Sequence, residues 1–314
     1  MTYEKIGLIG FGSWVKEAYL PFINNLDTGR VTHISTRSQN SLNNAKLSFG
    51  DDAKYTLDYK SLINDKDLDL IILSVPDEIH GDLVSDVLSV DADCIFEMPL
   101  TLNQHDSKKI LSKIKGQKNL IIPNLEMSYL PIVQYLNENI KEKKFGKILS
   151  AKLLLSANWW DGFSLYSSSA WYIDVLNKIF DLYPIRALSK VETKSKFPTE
   201  SKGTAVLDYK DFLAEWEFNM ESTDGLSVIL DLVFENNSMK VNLMTSEIIS
   251  ENKKKIDFFE PYNGWPGMNE FLQSTFFNGD KKKKIKYDIE IESLQKISNA
   301  LELSMKTNQW VEIL

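Results

Sequence analysis

Apolar positions in the first third of the chain come in short continuous runs, each followed by a stretch where they recur at helical spacing. Ile6, Leu8 and Ile9 form the first run, and Gly10-Phe11-Gly12 ends it. Val15, Ala18, Tyr19 and Phe22 then recur three and four residues apart, so the opening reads as strand, tight glycine turn and helix. The alternation continues with a strand over Val31–Thr36, a helix over Ser41–Phe49 and a strand buried on both faces within Leu68–Val75. A helix over Asp82–Leu88, a strand over Cys94–Phe96, a helix over Asn103–Lys115 and a strand over Asn119–Ile122 complete the series. Strands alternating with helices predict a doubly wound parallel sheet.

After about Pro123 the pattern changes. Helices over Leu130–Lys141 and Ser169–Leu182 and a long strand over Lys147–Asn158 precede a series of alternating segments. These are Ala205–Leu207, Leu213–Met220, Leu226–Phe234, Lys240–Thr245 and Lys255–Phe259. Alternation predicts a large, open, mainly antiparallel sheet with one face covered. Helices over Met268–Phe277 and Ile289–Met305 close the chain. The reading is α/β, with a dinucleotide-binding domain over 1–123 and a substrate and oligomerisation domain over 124–314. With no linker between the two, the cleft between them is the expected active site.

Composition narrows the function. Of 314 residues, 43% are hydrophobic and 25% charged, as in ordinary globular proteins. The net charge of −8 argues against a nucleic-acid surface. Lys253–Lys255 and Lys281–Lys284 are the dense basic runs, and their turn-like neighbours predict solvated loop tips. Cys94 is the single cysteine, which excludes intrachain disulfides, and His33, His80 and His105 lack metal-ligand spacing. No apolar run reaches membrane-spanning length and the start resembles no signal peptide, so a cytoplasmic protein is expected, with no metal and no membrane partner.

The glycine turn carries the first candidate chemistry. Gly10 can take backbone angles closed to other residues, and Gly12 has no side chain to hold a pyrophosphate away from the backbone. Ser13 and Trp14 open the helix whose free N–H groups face that anion. The third position of the G-x-G-x-x-G pattern is Val15. The second strand ends Ile34-Ser35-Thr36-Arg37-Ser38, without the acidic residue that reads the ribose of NAD. Thr36 and Ser38 as donors and Arg37 as cation suit a 2′-phosphate, so NADP(H) is favoured over NAD. The alternative, Arg37 capping a surface turn, leaves the preference open.

With these pieces in order, the chain resembles the Gfo/Idh/MocA family of nicotinamide-dependent oxidoreductases. The resemblance rests on Gly10-Phe11-Gly12, on Ser74-Val75-Pro76 with His80, and on Glu97-Met98-Pro99 where the family usually carries Glu-Lys-Pro. It extends to Asp174, Lys178 and Asp181, set on the family's D-x-x-x-H-x-x-D, and to the ending from Ala300 through Val311. It implies a Rossmann domain followed by an α/β domain on a large open sheet. Ser74, Pro76, His80, Glu97 and Met98 then join the cofactor site, and Lys178, Asp174 and Tyr172 become the proton-transfer candidates. As a lone histidine, His80 reads more readily as structural than as a proton donor.

Two departures matter. Met98 occupies the place of the family's catalytic lysine, and a thioether neither donates a proton nor carries charge. Lys178 stands where a histidine is usual. Shielding from water lowers an ammonium pKa and makes it a usable acid, whereas Asp174 and Asp181 on the same helical side would hold it charged. Trp159, Trp160 and Trp171 read either as a stacking wall for substrate or as packing between domains. The resulting expectation is an NADPH-dependent reductase of a carbonyl or imine carbon. A sugar or cyclitol dehydrogenase and a catalytically silent NADP-binding regulator are the alternatives. The family's open sheet implies a homodimer or homotetramer.

Overall fold

The structure, a computed structural model, describes residues 3–24, 29–158, 164–194, 199–250, 255–257, 265–276 and 281–313. The chain groups into two compact units, Met1–Leu125 with Tyr262–Glu292, and Glu126–Pro261 with Ser293–Leu314. A single cut near Pro123 therefore differs from the observed grouping in the place of Tyr262–Glu292.

In the first unit, β1 (Lys5–Ile9) leads through a π-helical turn, Val15–Tyr19, into α1 (Leu20–Ile23). Pro21 has no N–H to give the carbonyl four residues back, and the wide turn lies just before it. There follow β2 (Arg30–Ser35), α2 (Gln39–Phe49), β3 (Lys54–Thr56), α3 (Tyr59–Ile63), β4 (Leu70–Leu73), α4 (His80–Val87), β5 (Asp93–Glu97), α5 (Gln104–Lys115) and β6 (Ile121–Asn124). All pairings in this six-stranded sheet are parallel, in the order β3-β2-β1-β4-β5-β6. β4 and β5 are buried at every position, β4 as an unbroken apolar run and β5 with Asp93 and Glu97 at its two ends.

The second unit holds α6 (Pro131–Lys141), β7 (Ile148–Ser156), α7 (Leu165–Phe180), β8 (Arg186–Glu192), β9 (Lys202–Asp208), β10 (Leu213–Asn219), β11 (Ser227–Phe234), β12 (Ser238–Asn242), β13 (Glu247–Ser250) and β14 (Lys255–Asp257). After α8 (Met268–Phe276), α9 (Lys284–Thr307) and β15 (Val311–Glu312) end the chain. The nine-stranded sheet runs β14-β13-β12-β11-β7-β10-β9-β8-β15. It is antiparallel except where β10 runs parallel to β7. Its covered face carries Leu153, Leu155, Trp216, Phe218, Val228 and Leu230, all buried. Gly203 sits there because a Cβ would stand 2.3 Å from the Phe218 ring.

Several elements differ from the sequence reading. β8 presents Ala187 and Ser189 inward, side chains too small for alternation to register. α7 starts at Leu165 rather than Ser169. Ser164 caps it by accepting from Tyr166 N at 3.1 Å, and Glu200 accepts from Leu165 N at 2.6 Å. Ser167, Ser168 and Ser169 lie inside the helix, with Ser169 Oγ bonded back to Tyr166 O at 3.1 Å. Lys281–Lys284 is no loop tip. A 3-10 turn over Lys281–Lys283 runs into α9, and Lys284 Nζ donates to Asp288 Oδ2 (2.7 Å) and Ile114 O (3.0 Å). Lys253 and Lys254, Phe277 and the end of the Lys255–Phe259 segment lie outside the described residues. No described helix is long and apolar enough to cross a membrane.

Candidate active site

The order of the first unit's sheet reverses between β1 and β4, and open α/β sheets bind ligands outside their strand ends at such a point. The chain leaves β1 at Gly10, with φ +97°, and a Cβ there would lie 1.8 Å from Ser74 O. Glycine is required twice, by dihedral and by approach. Gly10 N–H donates to Ser35 O and Ser74 N–H to Ile9 O, each at 2.9 Å, which pins the turn to the ends of β2 and β4. Gly12 is different. It is not among the positive-φ glycines, and a Cβ there would meet nothing within 4 Å. Space is therefore open over Gly12, at the start of a helical stretch whose first N–H groups have no partner within the helix. A dinucleotide pyrophosphate needs this cradle, so the residues present fit that cofactor. Val15, in the third glycine position, is fully buried.

At the end of β5, the Glu97 carboxylate is buried among donors. Its Oε1 accepts from Tyr19 OH (2.6 Å), Trp14 Nε1 (2.8 Å) and Asn124 Nδ2 (3.0 Å), and Asn124 Nδ2 also reaches Oε2 at 3.2 Å. Burial raises the Glu97 pKa, and the three donors oppose the shift. Met98 is fully buried, and the Met98–Pro99 peptide is cis. His80, also buried, faces two carbonyls, with Nδ1 2.9 Å from Pro99 O and Nε2 2.8 Å from Val75 O. The loop Glu97–Pro99 is thus held by the side chain of its first residue and the carbonyl of its last. Pro76 is exposed and precedes the 3-10 turn Asp77–Ile79.

At the end of β2 the hydroxyls serve the chain's own turn. Thr36 Oγ1 donates to Ser38 O at 2.9 Å, and Ser38 Oγ caps α2 by accepting from Ser41 N at 3.2 Å. Arg37 and Ser38 are exposed, as is Ser13, and Trp14 is half-buried.

In the second unit, α7 carries the proton-transfer candidates. Asp174 is fully buried and Lys178 half-buried. Tyr172 stacks on Trp216 at 5.6 Å, and burial pushes its hydroxyl far above the usual tyrosine range. Asn177 accepts from Tyr209 OH at 2.7 Å. Burial raises the Tyr209 hydroxyl as well, with the Asp174 charge adding to it. Asp181 leaves the helix in the left-handed region, φ 54°, and its Oδ2 lies 3.0 Å from Lys141 Nζ. Trp159, Trp160 and Asp161 lie outside the described residues. Among the described residues no group of three His, Cys, Asp or Glu is placed to hold a metal ion.

The sequence reading missed Tyr19 and Asn124 as partners of Glu97. Tyr19 sits at a core spacing that hides its hydroxyl's role. Asn124, a polar residue closing an apolar strand as Glu97 does, was the available signal.

Glycine turn, strand order and switch point define a dinucleotide-binding Rossmann unit. Residues 4–125 match the model of the Gfo/Idh/MocA family, described as an oxidoreductase family with an NAD-binding Rossmann fold. The fold of the whole chain is similar to that of a levoglucosan dehydrogenase solved in complex with NADH, at a TM-score of 0.83, 15% identity and 99% coverage of each chain. An oxidoreductase from Agrobacterium radiobacter, in complex with NAD+, L-tartaric acid and magnesium, gives a TM-score of 0.82 at 12% identity, covering 99% of this chain and 98% of that one. The myo-inositol 2-dehydrogenase from Lactobacillus plantarum gives 0.78 at 15% identity and 99% coverage of each. At these identities the likeness is one of fold. By sequence, no curated protein matches the chain.

Proposed function

We propose that the chain is an NADP(H)-dependent oxidoreductase that moves hydride between the nicotinamide and a carbonyl or imine carbon of a small molecule, working as a reductase. The observation that carries this reading is Met98, fully buried at the position where the resembled family usually carries a lysine. A thioether offers neither proton nor base. Oxidising an alcohol needs a base, whereas a protonated imine is already electrophilic and needs little acid assistance. Arg37, exposed beyond a strand end with no carboxylate between Ser35 and Ser38, supports the 2′-phosphate reading. The bound nicotinamide supplies the hydride. The glycine turn would hold its phosphates and the loop Glu97–Pro99 would lie at its reactive end, and Lys178, with Asp174 and Tyr172 on the same helix, would be the proton donor.

The test is NADPH consumption with a panel of aldehydes, ketones and cyclic imines, repeated with Lys178→Met. Turnover that falls at least a hundredfold with unchanged NADPH affinity supports Lys178 as the acid. Turnover untouched by the substitution removes it from the mechanism. A second reading, dehydrogenation of a sugar or cyclitol, is supported by the levoglucosan and myo-inositol dehydrogenases that share the fold. NADP+ reduction with such polyols, in the absence of carbonyl reduction, selects that reading. We also propose that a second copy covers the open face of the nine-stranded sheet, where Leu154 pairs with Ile229 and Leu213 and Val233 are exposed.

A further inference from the structure

Glu97 is a buried carboxylate whose oxygens are taken up by the chain itself, with Trp14 and Tyr19 donating from the stretch after the glycine turn and Asn124 from the end of β6. Its Oε1 is therefore committed to the protein itself. The cluster is also expensive. Asn124 is fully buried, and its Oδ1 has no hydrogen-bond partner, a loss that an apolar residue at this strand end would avoid. Such polar clusters persist where geometry matters more than stability.

The geometry fits one task. Trp14 stands two residues after Gly12, at the point where the helical N–H groups turn toward an anion. Its indole N–H reaches 83 residues along the chain to the carboxylate that opens the loop Glu97–Pro99. His80 fixes the other end of that loop through Pro99 O. Trp265 packs edge-on against Trp14 at 5.3 Å, which holds the indole plane.

We propose that Trp14 is a positioning residue: its bond to Glu97 locks the phosphate turn to the loop Glu97–Pro99, so that the two ends of the dinucleotide site are set as one rigid piece. The inference rests on the dinucleotide reading of the turn. Loss of the bond frees the first helical turn to rotate away from the pyrophosphate and lets the carboxylate draw the loop elsewhere. Both ends of the ligand then lose precision, and the ligand spanning both loses most.

The test uses the full-length protein with Trp14→Phe, which keeps the ring and its packing but removes the donor, and Glu97→Gln, which keeps an acceptor but removes the charge. NADPH and ADP-ribose, which lacks the nicotinamide, are titrated alongside thermal unfolding. Expected for Trp14→Phe is an NADPH Kd raised about tenfold, equivalent to about 1.4 kcal/mol. The ADP-ribose Kd rises less, and Tm changes little. Glu97→Gln shows a smaller rise in the same order. A lowered Tm with both affinities unchanged makes the bond merely structural and overturns the inference, as does equal weakening of the two ligands. Wild-type protein that binds neither ligand overturns the dinucleotide reading itself, and the inference falls with it.

Discussion

The two glycines of the turn meet different demands, so substituting each with alanine has opposite consequences. At Gly10, alanine must adopt φ +97° and place its Cβ 1.8 Å from Ser74 O, about half a normal contact distance. The left-handed backbone contributes about 1–2 kcal/mol. Relief of the overlap requires the end of β4 to move, which breaks the Gly10–Ser35 and Ser74–Ile9 bonds, each worth about 1 kcal/mol. Gly10→Ala is therefore expected to destabilise the first unit by about 3–4 kcal/mol. That corresponds to a fall in Tm of roughly 10 °C for a unit of this size. At Gly12 neither obstacle exists, since φ is not positive and a Cβ meets nothing within 4 Å. Restricting the unfolded chain stabilises Gly12→Ala by about 0.4–1 kcal/mol. Its methyl group instead fills the space where an anion approaches the backbone, and NADPH affinity falls at least tenfold. Differential scanning fluorimetry with and without NADPH reads both effects. Gly12→Ala protein that binds NADPH like the wild type refutes the assignment of the turn to phosphate.

Further predictions follow from charge. Because burial raises the Glu97 pKa above its unfolded value, its contribution to stability is most favourable below the unfolded pKa and declines as pH rises through the folded one. The Tm of wild type minus that of Glu97→Gln should become more negative as pH rises above the ordinary glutamate pKa of about 4.3; a constant difference contradicts this. Asp208 shows the opposite sign. Its hydrogen bond from Arg186 Nε (2.7 Å) lowers its pKa, so it stabilises above the unfolded pKa and loses that contribution as pH falls through the folded one. Asp208→Asn is expected to lower stability at pH 7 by about 1 kcal/mol, a modest value because the Arg186 side chain is 43% exposed, and to flatten the acid limb of the stability curve. Ile229→Asp, on the open face, should convert the proposed dimer to monomers in light scattering without unfolding it; a wild-type monomer refutes the proposed face.

Much of the first unit was legible because its strands are short, unbroken apolar runs such as Leu70–Leu73, which admit few other readings. β3 and α3 escaped notice because neither is long enough to show a period. In the second unit, long alternating strands such as Ser227–Phe234 declared themselves, while β8 with its small inward side chains did not. The site divides in the same way. Gly10 and Gly12 were legible because the chemistry lies in the residue type itself. The Trp14–Glu97 bond joins residues 83 apart, and no local pattern encodes such a partner. Thr36 and Ser38 show the converse case. Their hydroxyls are of the right type for a phosphate, but they close the turn and cap α2, which leaves Arg37 to carry the cofactor preference.

The central claim, a nicotinamide dinucleotide held by the glycine turn and read by Arg37, is tested most directly by fluorescence titration of the purified protein with NADPH and NADH, alongside Arg37→Asp. The account predicts micromolar NADPH binding, weaker NADH binding, and a preference that the substitution abolishes or reverses. Failure of both nucleotides to bind below about millimolar, weaker than roughly 4 kcal/mol, would contradict it.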